Sequence, residues 1–477
     1  MNRPSIYILL ILLFAADLAF SFGQHMNQPL DGDLPWILAP SDDLIPVLEN
    51  PFGLQTILAD STYLNPNRYF SHAALRTYMG SAPIALQVVA DPISSVYLAA
   101  AIAKTIIQCL LILILAGIIN GGLHLRKTRF WGIVLLVTPF FQANGYQAYM
   151  GVIAPSITYT FFYALPFLAL LIYFLPIYYT FYSEKSSSLH PIKTIAHFLL
   201  LPLVCLSGPL NPGIALVLSL VVFIAYVSRG INTQPKISLL SNLKDVPKQI
   251  YVYLIPLVLF SLFSLVIGRY DSFSQASEIS IASVYSNLPN GLWKMVSTKI
   301  GLPLLVGAII TNALVIRFTF PKNVSRLIRK SMFWVGVFVL LYILLLPLGG
   351  YRAYRPDTFR YDTFLPVTIS LIYLFAASCI FLLDRLQGQM RRVYMSMVIV
   401  VLMIFTLADR GEFENNDCEQ AAFRTIASSS LDIVELGNEC SVMDWRLFHN
   451  PKHSLLRSRA LVSWGIIDEE KLYYNKP

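Results

Sequence analysis

The chain has 477 residues, 56% of them hydrophobic and only 13% charged, against roughly a quarter charged in ordinary soluble domains. Its many apolar runs approach the ~20 residues that a bilayer-crossing helix needs, which excludes a soluble enzyme and predicts an all-α polytopic membrane protein. The net charge of +8 is no nucleic-acid signal, because the basic residues gather in short loops on one side of the predicted spans.

Eleven spans are predicted, at 5–22, 96–120, 130–143, 157–180, 195–208, 212–228, 250–268, 300–317, 332–348, 364–383 and 393–408. The first has Arg3 ahead of it and small residues near Ser21, the outline of a cleaved signal peptide, but Asp17 interrupts its apolar core. Residues 23–95 then form a long outer loop. Its apolar stretches 44–58 and 73–89 are too short to span and suit helices lying along the membrane surface, or an ordinary folded loop. Within it, Tyr63, Tyr69 and Phe70 surround a turn at Pro66 that reads equally as a loop knuckle or as a wall for an acceptor. Gln142, Asn144, Gly145 and Gln147 interrupt the region after Phe130, the place where a re-entrant segment would replace a span. The run Gly208-Pro209-Leu210-Asn211-Pro212-Gly213 predicts a tight turn. The chain thus divides into a transmembrane domain, 1–408, and an extracytoplasmic tail, 409–477, in which twelve acids and eight bases mix as in a small domain.

The charge pattern sets the orientation. With the N-terminus inside, the inner segments carry eighteen Lys and Arg residues against Glu184, Asp245 and Asp384, whereas loop 23–95 has seven acids against Arg68 and Arg76. Excess Lys and Arg marks the cytoplasmic side, so the N-terminus is expected in the cytoplasm, and the first loop and the C-terminus outside.

Asp31-Gly32-Asp33 lies just beyond the first span. Two carboxylates separated by glycine can face one ligand, hold a divalent cation such as Mg2+ or Mn2+, or divide the work of a base and its electrostatic partner. In a soluble protein the same tripeptide reads first as a solvated turn. Here it sits at the mouth of a membrane domain.

A first helix, an Asp-x-Asp motif early in a long outer loop, and ten further spans resemble the integral-membrane glycosyltransferases of the C-type fold. The resemblance rests on layout, with Asp31 and Asp33 its residue-level match. It implies a sugar donor carried on polyprenyl phosphate, a glycan, lipid or protein acceptor on the outer face, Asp31 and Asp33 as catalytic base or metal ligands, and no organic cofactor. Two other readings share the layout. One is an O-antigen-type polymerase or ligase, whose large loop usually falls later in the chain. The other is a flippase, for which inverted repeats and paired broken helices are missing from the sequence.

A departing polyprenyl phosphate needs cations. Arg352, Arg355 and Arg360, interleaved with Tyr351, Tyr354 and Tyr361 in one outer loop, have the forked geometry that matches phosphate oxygens. The alternative is that Asp357 and Asp362 simply pair with them. Lys104, within the second span with Gln108 one turn on, joins the expected phosphate site, or else snorkels to the surface. Asp17 within the first span is a candidate buried partner for a base, and His25 and His72 are candidates for lining the site. Cys109, Cys205 and Cys379 fall in spans as small apolar residues. Cys418 and Cys440 are the only outer cysteines, and an oxidising compartment favours their pairing as a disulfide.

Overall fold

The computed structural model describes residues 4–143, 150–183, 191–233, 246–275, 280–297, 300–349 and 359–476. Among them, nine helices are long and apolar enough to cross a membrane: Ser5–Met26, Pro92–Asn120, Ile157–Thr180, Leu210–Ser228, Lys248–Gly268, Gly301–Thr319, Lys322–Gly349, Asp362–Arg385 and Gly388–Ala408. Two shorter apolar helices, Thr128–Phe140 and Thr194–Cys205, lie where the remaining two spans are predicted. The protein is a helical, polytopic membrane protein. Large side chains such as Phe318, 80% exposed, and Leu407, 75% exposed, point away from the bundle, as residues facing hydrocarbon do.

Local chemistry sets the ends of the helices. The Asp91 side chain accepts hydrogen bonds from the amides of Ile93 and Ser94, Pro92 occupies the first turn, and Gly121 closes the helix Pro92–Asn120 at φ +75°. These are an N-cap, a pre-set first φ and a left-handed C-terminal residue.

The bundle has one large apolar core, and a second core lies at the Asp31 end. There, Leu30, Leu34, Leu75 and Met79 of the first loop pack with Val96 and Tyr97 and with Phe423, Ile426, Trp464 and Tyr473 of the tail. The loop and the tail form one packed layer over the helix ends. Within the layer, Tyr69–Leu86 is a helix whose Met79 carbonyl accepts from Trp464 Nε1 at 2.8 Å. The segment around Pro66 is a structural knuckle: Asn67 Nδ2 donates to the Ser264 carbonyl at 3.1 Å, and the Gly208 amide donates to the Asn67 carbonyl at 2.9 Å.

The tail is a small unit of its own kind. Helix Asp417–Ser428 is followed by β1, Ile433–Leu436, which pairs in parallel with β2, Leu472–Asn475, and helix Leu455–Ser463 lies between the strands in sequence. Cys418 and Cys440 are joined by a disulfide, with Cα atoms 6.2 Å apart. Thiol labelling of unreduced protein is expected to leave both unmodified, and Cys418→Ser is expected to weaken the tail by about 3 kcal/mol in denaturant titration.

Glu419 fastens the tail to the bundle. Its carboxylate accepts from the Leu30 amide at 2.9 Å, the Met443 amide at 2.8 Å and the Tyr97 hydroxyl at 2.8 Å. Burial raises its pKa from 4.5 to about 7, with the two amides pulling the other way. The folded state therefore binds more protons than the unfolded state between those values. The stabilisation from this group is complete below pH 4.5, declines as pH rises to about 7 and is then lost, a change on the order of 3 kcal/mol. Tail release followed by limited proteolysis should speed up from pH 5 to pH 8 in the native protein. In Glu419→Gln that pH dependence should be flattened.

Candidate active site

The site grows from the turn that ends the first helix. Asp31, 3% exposed, accepts from the amides of Asp33 and Leu34 on Oδ1, each at 3.1 Å, and so starts the short helix Leu34–Leu38. Its Oδ2 accepts from Ser156 Oγ at 2.7 Å and from the Thr158 amide at 3.1 Å. Four donors occupy the roughly four lone-pair positions of a carboxylate, so Asp31 is saturated by the protein. It staples the first loop to the start of the span Ile157–Thr180.

Asp33 is half-buried and differently placed. Trp445 Nε1, from the tail, donates to its Oδ1 at 3.5 Å, and the Tyr159 hydroxyl is a second hydrogen-bond partner. Burial, then the Asp31 charge, raise the Asp33 pKa above its ordinary value, while Trp445, Arg68 and Tyr159 act in the opposite direction. A carboxylate destabilised in its charged form is a stronger base than one in water.

The helix turn beside Asp33 carries the next residues. Ser156 caps it by accepting from the Tyr159 amide, and Thr160–Ala164 form a π turn, a feature frequent at functional sites. The rings of Tyr159 and Tyr163 meet edge-on with centroids 5.7 Å apart. The Tyr163 hydroxyl accepts from Arg360 Nη2 at 3.1 Å, and Arg360 is ion-paired with Asp362 at 2.7 Å. Tyr159 is in electrostatic reach of Asp33 and also of Tyr163, Arg360 and Asp362. Asp33 and Arg360, far apart in sequence, thus share one neighbourhood. Arg352 and Arg355 lie outside the described residues.

Arg68 completes the cationic side. Its guanidinium lies over the Phe162 ring, 4.9 Å from the centroid, and is in electrostatic reach of both Asp33 and Tyr163. His72 is a buried support for it, its Nδ1 bonded to the Arg68 carbonyl at 2.9 Å. Burial, then Arg68, lower the pKa of that ring to about 3, so it stays neutral near pH 7.

Lys104 departs from its expected place at a phosphate. It is 1% exposed, and its Nζ donates to Gln28 Oε1 at 2.9 Å and to the Pro155 carbonyl. Gln28 also bonds His25, which bonds Gln108, which donates to Ser21 and to the Phe141 carbonyl. This buried polar chain holds the backbone at Pro155, next to Ser156, and Lys104 is in electrostatic reach of Asp31. Asp17, half-buried in the first helix, has the carboxylate of Asp409 as its charged neighbour rather than the base expected for it.

No protein-family model matches the chain, and no curated protein resembles it significantly in sequence. The residues themselves must carry the functional reading.

Among the described residues, no group of three or more His, Cys, Asp or Glu side chains is placed to hold an ion. Asp31 spends its lone pairs on protein donors, so Asp31 and Asp33 do not fit as a joint ligand pair.

Tyr159, Tyr163 and Trp445 are site residues absent from the expectations drawn from the sequence, where Arg68 figures only as a base of the outer loop beside the Pro66 turn. A trace of signal exists for the tyrosines, since two aromatics one turn apart at the start of a span recur in interfacial belts. Trp445 has none.

Proposed function

We propose that the protein is a membrane glycosyltransferase that moves a sugar from a polyprenyl-phosphate donor to an acceptor hydroxyl on the extracytoplasmic face. The observation that carries this reading is the shared neighbourhood of Asp33, Tyr159 and Arg360 at the end of the membrane helices. Asp33 takes the proton as the acceptor oxygen bonds to the sugar's C1. The bond from C1 to the phosphate oxygen breaks, and the electron pair leaves with the polyprenyl phosphate. Arg360 and Arg68, with Arg352 and Arg355 nearby in sequence, stabilise that developing charge. Fixed charges aimed at the leaving group are often the largest catalytic term. No step is assigned to a metal, and Lys104 is assigned to holding the Ser156 turn.

An apolar cavity supports a lipid-linked donor. Its volume is about 200 Å³, and Phe167 and Pro366 in its lining lie one helical turn beyond Tyr163 and Asp362. It continues to Tyr178 and Tyr373 among aliphatic residues. Hydrocarbon is the chemistry that such a lining accepts.

Undecaprenyl-phosphate mannose, glucose, galactose and arabinose, radiolabelled in the sugar and mixed with cell-envelope extract as an acceptor pool, test the reading. Purified protein should consume one donor in excess of an Asp33→Asn control. No consumption of any donor above that control would rule the reading out. Arg360→Ala should raise the donor KM at least ~10-fold, since a charge-assisted bond contributes about 1.5–3 kcal/mol. An unchanged KM would leave Arg360 as a partner of Asp362 alone.

A further inference from the structure

The tail is built to hold one backbone segment, 443–445, against the Asp31-Gly32-Asp33 turn. Met443 adopts φ +46°, a conformation rare outside glycine, and Glu419 and Arg457 fix it from both sides: the former accepts from its amide, and Arg457 Nε donates to its carbonyl at 3.0 Å. Arg457 is also ion-paired with Asp444, whose Oδ1 accepts from the Trp445 amide at 2.6 Å. The fit on the other side is close. A Cβ added at Gly32 would stand 3.0 Å from the Trp445 nitrogen, 3.0 Å from the Asp444 Cα and 2.8 Å from the Trp445 ring, so only glycine admits this approach.

All of this anchoring ends in a tryptophan that is not buried. Trp445 remains 53% exposed, although its backbone is pinned, its Nε1 reaches Asp33, and its ring stacks on Tyr159 at 5.8 Å with 28° between the planes. A fixed aromatic surface left open beside a carboxylate has a specific chemical complement. A pyranose presents an apolar face of axial C–H bonds, which packs on a π surface, and a rim of hydroxyls, which can reach the adjacent base. A lipid tail would lack the hydroxyl rim, and a protein hydroxyl would lack the flat apolar face.

We propose that Trp445, stacked with Tyr159, is a carbohydrate platform that presents the acceptor as a pyranose ring, with one hydroxyl directed to Asp33. This rests on the transferase reading above and narrows its acceptor to a glycan. It also gives the tail a function in selecting the acceptor.

Methyl α- and β-pyranosides of glucose, galactose and mannose are the probes, with sorbitol as a polyol that lacks the ring. Acrylamide quenching of tryptophan fluorescence is read in the native protein and in Trp445→Phe, and the difference between them reports Trp445. At least one pyranoside should halve the quenching of Trp445, with sorbitol inert. In the transfer assay, Trp445→Ala should raise the acceptor KM at least tenfold, with the donor KM moving less than threefold, and Trp445→Phe should recover most of that loss. No protection by any pyranoside, or equal protection by sorbitol, overturns the platform. So does an unchanged acceptor KM in Trp445→Ala. The two proposals fail separately: protection without donor consumption keeps the sugar site and removes the transferase, whereas donor consumption without protection does the reverse.

Discussion

Asp33→Asn is expected to reduce sugar transfer at least ~100-fold while the protein remains folded, because removal of a general base costs about that much. Asparagine keeps the size of the side chain and leaves an oxygen for the Trp445 and Tyr159 donors, so the local packing survives. The loss should fall on kcat, with donor binding moving little. The pH profile gives a second reading. Asp33 must be deprotonated to act, and burial and Asp31 raise its pKa, so activity should fall with acidification from a point above the ordinary carboxylate value. Trp445→Phe removes a hydrogen bond that lowers this pKa and should move the acid limb to higher pH. A variant Asp33→Asn with near-native turnover would show that Asp33 is part of a turn and nothing more.

Asp31→Ala is expected to act on the fold instead. It leaves the amides of Asp33 and Thr158 and the hydroxyl of Ser156 without that acceptor, while the Leu34 amide keeps the Asp31 backbone carbonyl at 3.3 Å. Unsatisfied buried donors cost roughly 1–3 kcal/mol each and do not add fully, so a loss of about 3–5 kcal/mol is expected in denaturant titration. Activity should fall with it, because the staple that positions Tyr159 is gone. Thermal stability within a degree of the native protein would mean that the four hydrogen bonds do not matter. The two neighbouring acids are thus separated by measurement: one variant is folded and inactive, the other unstable.

The membrane architecture was legible because a bilayer constrains sequence severely. Each span needs a long apolar run, and the nine long helices and two short ones fall on the predicted segments. The position of the Asp31-Gly32-Asp33 turn at the helix ends was legible for the same reason. The division of labour within it was not. What fixes Asp31 is Ser156 and Thr158, well over a hundred positions away, and no local pattern ties those residues to an acidic turn. The partners of Lys104 were not legible either. A cation in a span does seek partners, and here Gln28 and Pro155 supply neutral acceptors while the Asp31 carboxylate is in electrostatic reach. Trp445 was invisible because its role depends on tail residues Glu419 and Arg457 and on the missing side chain of Gly32, each unremarkable alone.

The proposed binding site for a lipid-linked phosphate sugar is the space shared by Asp33, Tyr159 and Arg360. Its most direct test is photocrosslinking with an undecaprenyl-phosphate sugar that carries a diazirine on the sugar ring, followed by peptide mapping. Label is expected on the segments around Asp33, Tyr159 and Arg360, displaced by unlabelled undecaprenyl phosphate. Label confined to the opposite ends of the helices, or label that undecaprenyl phosphate does not displace, would contradict it.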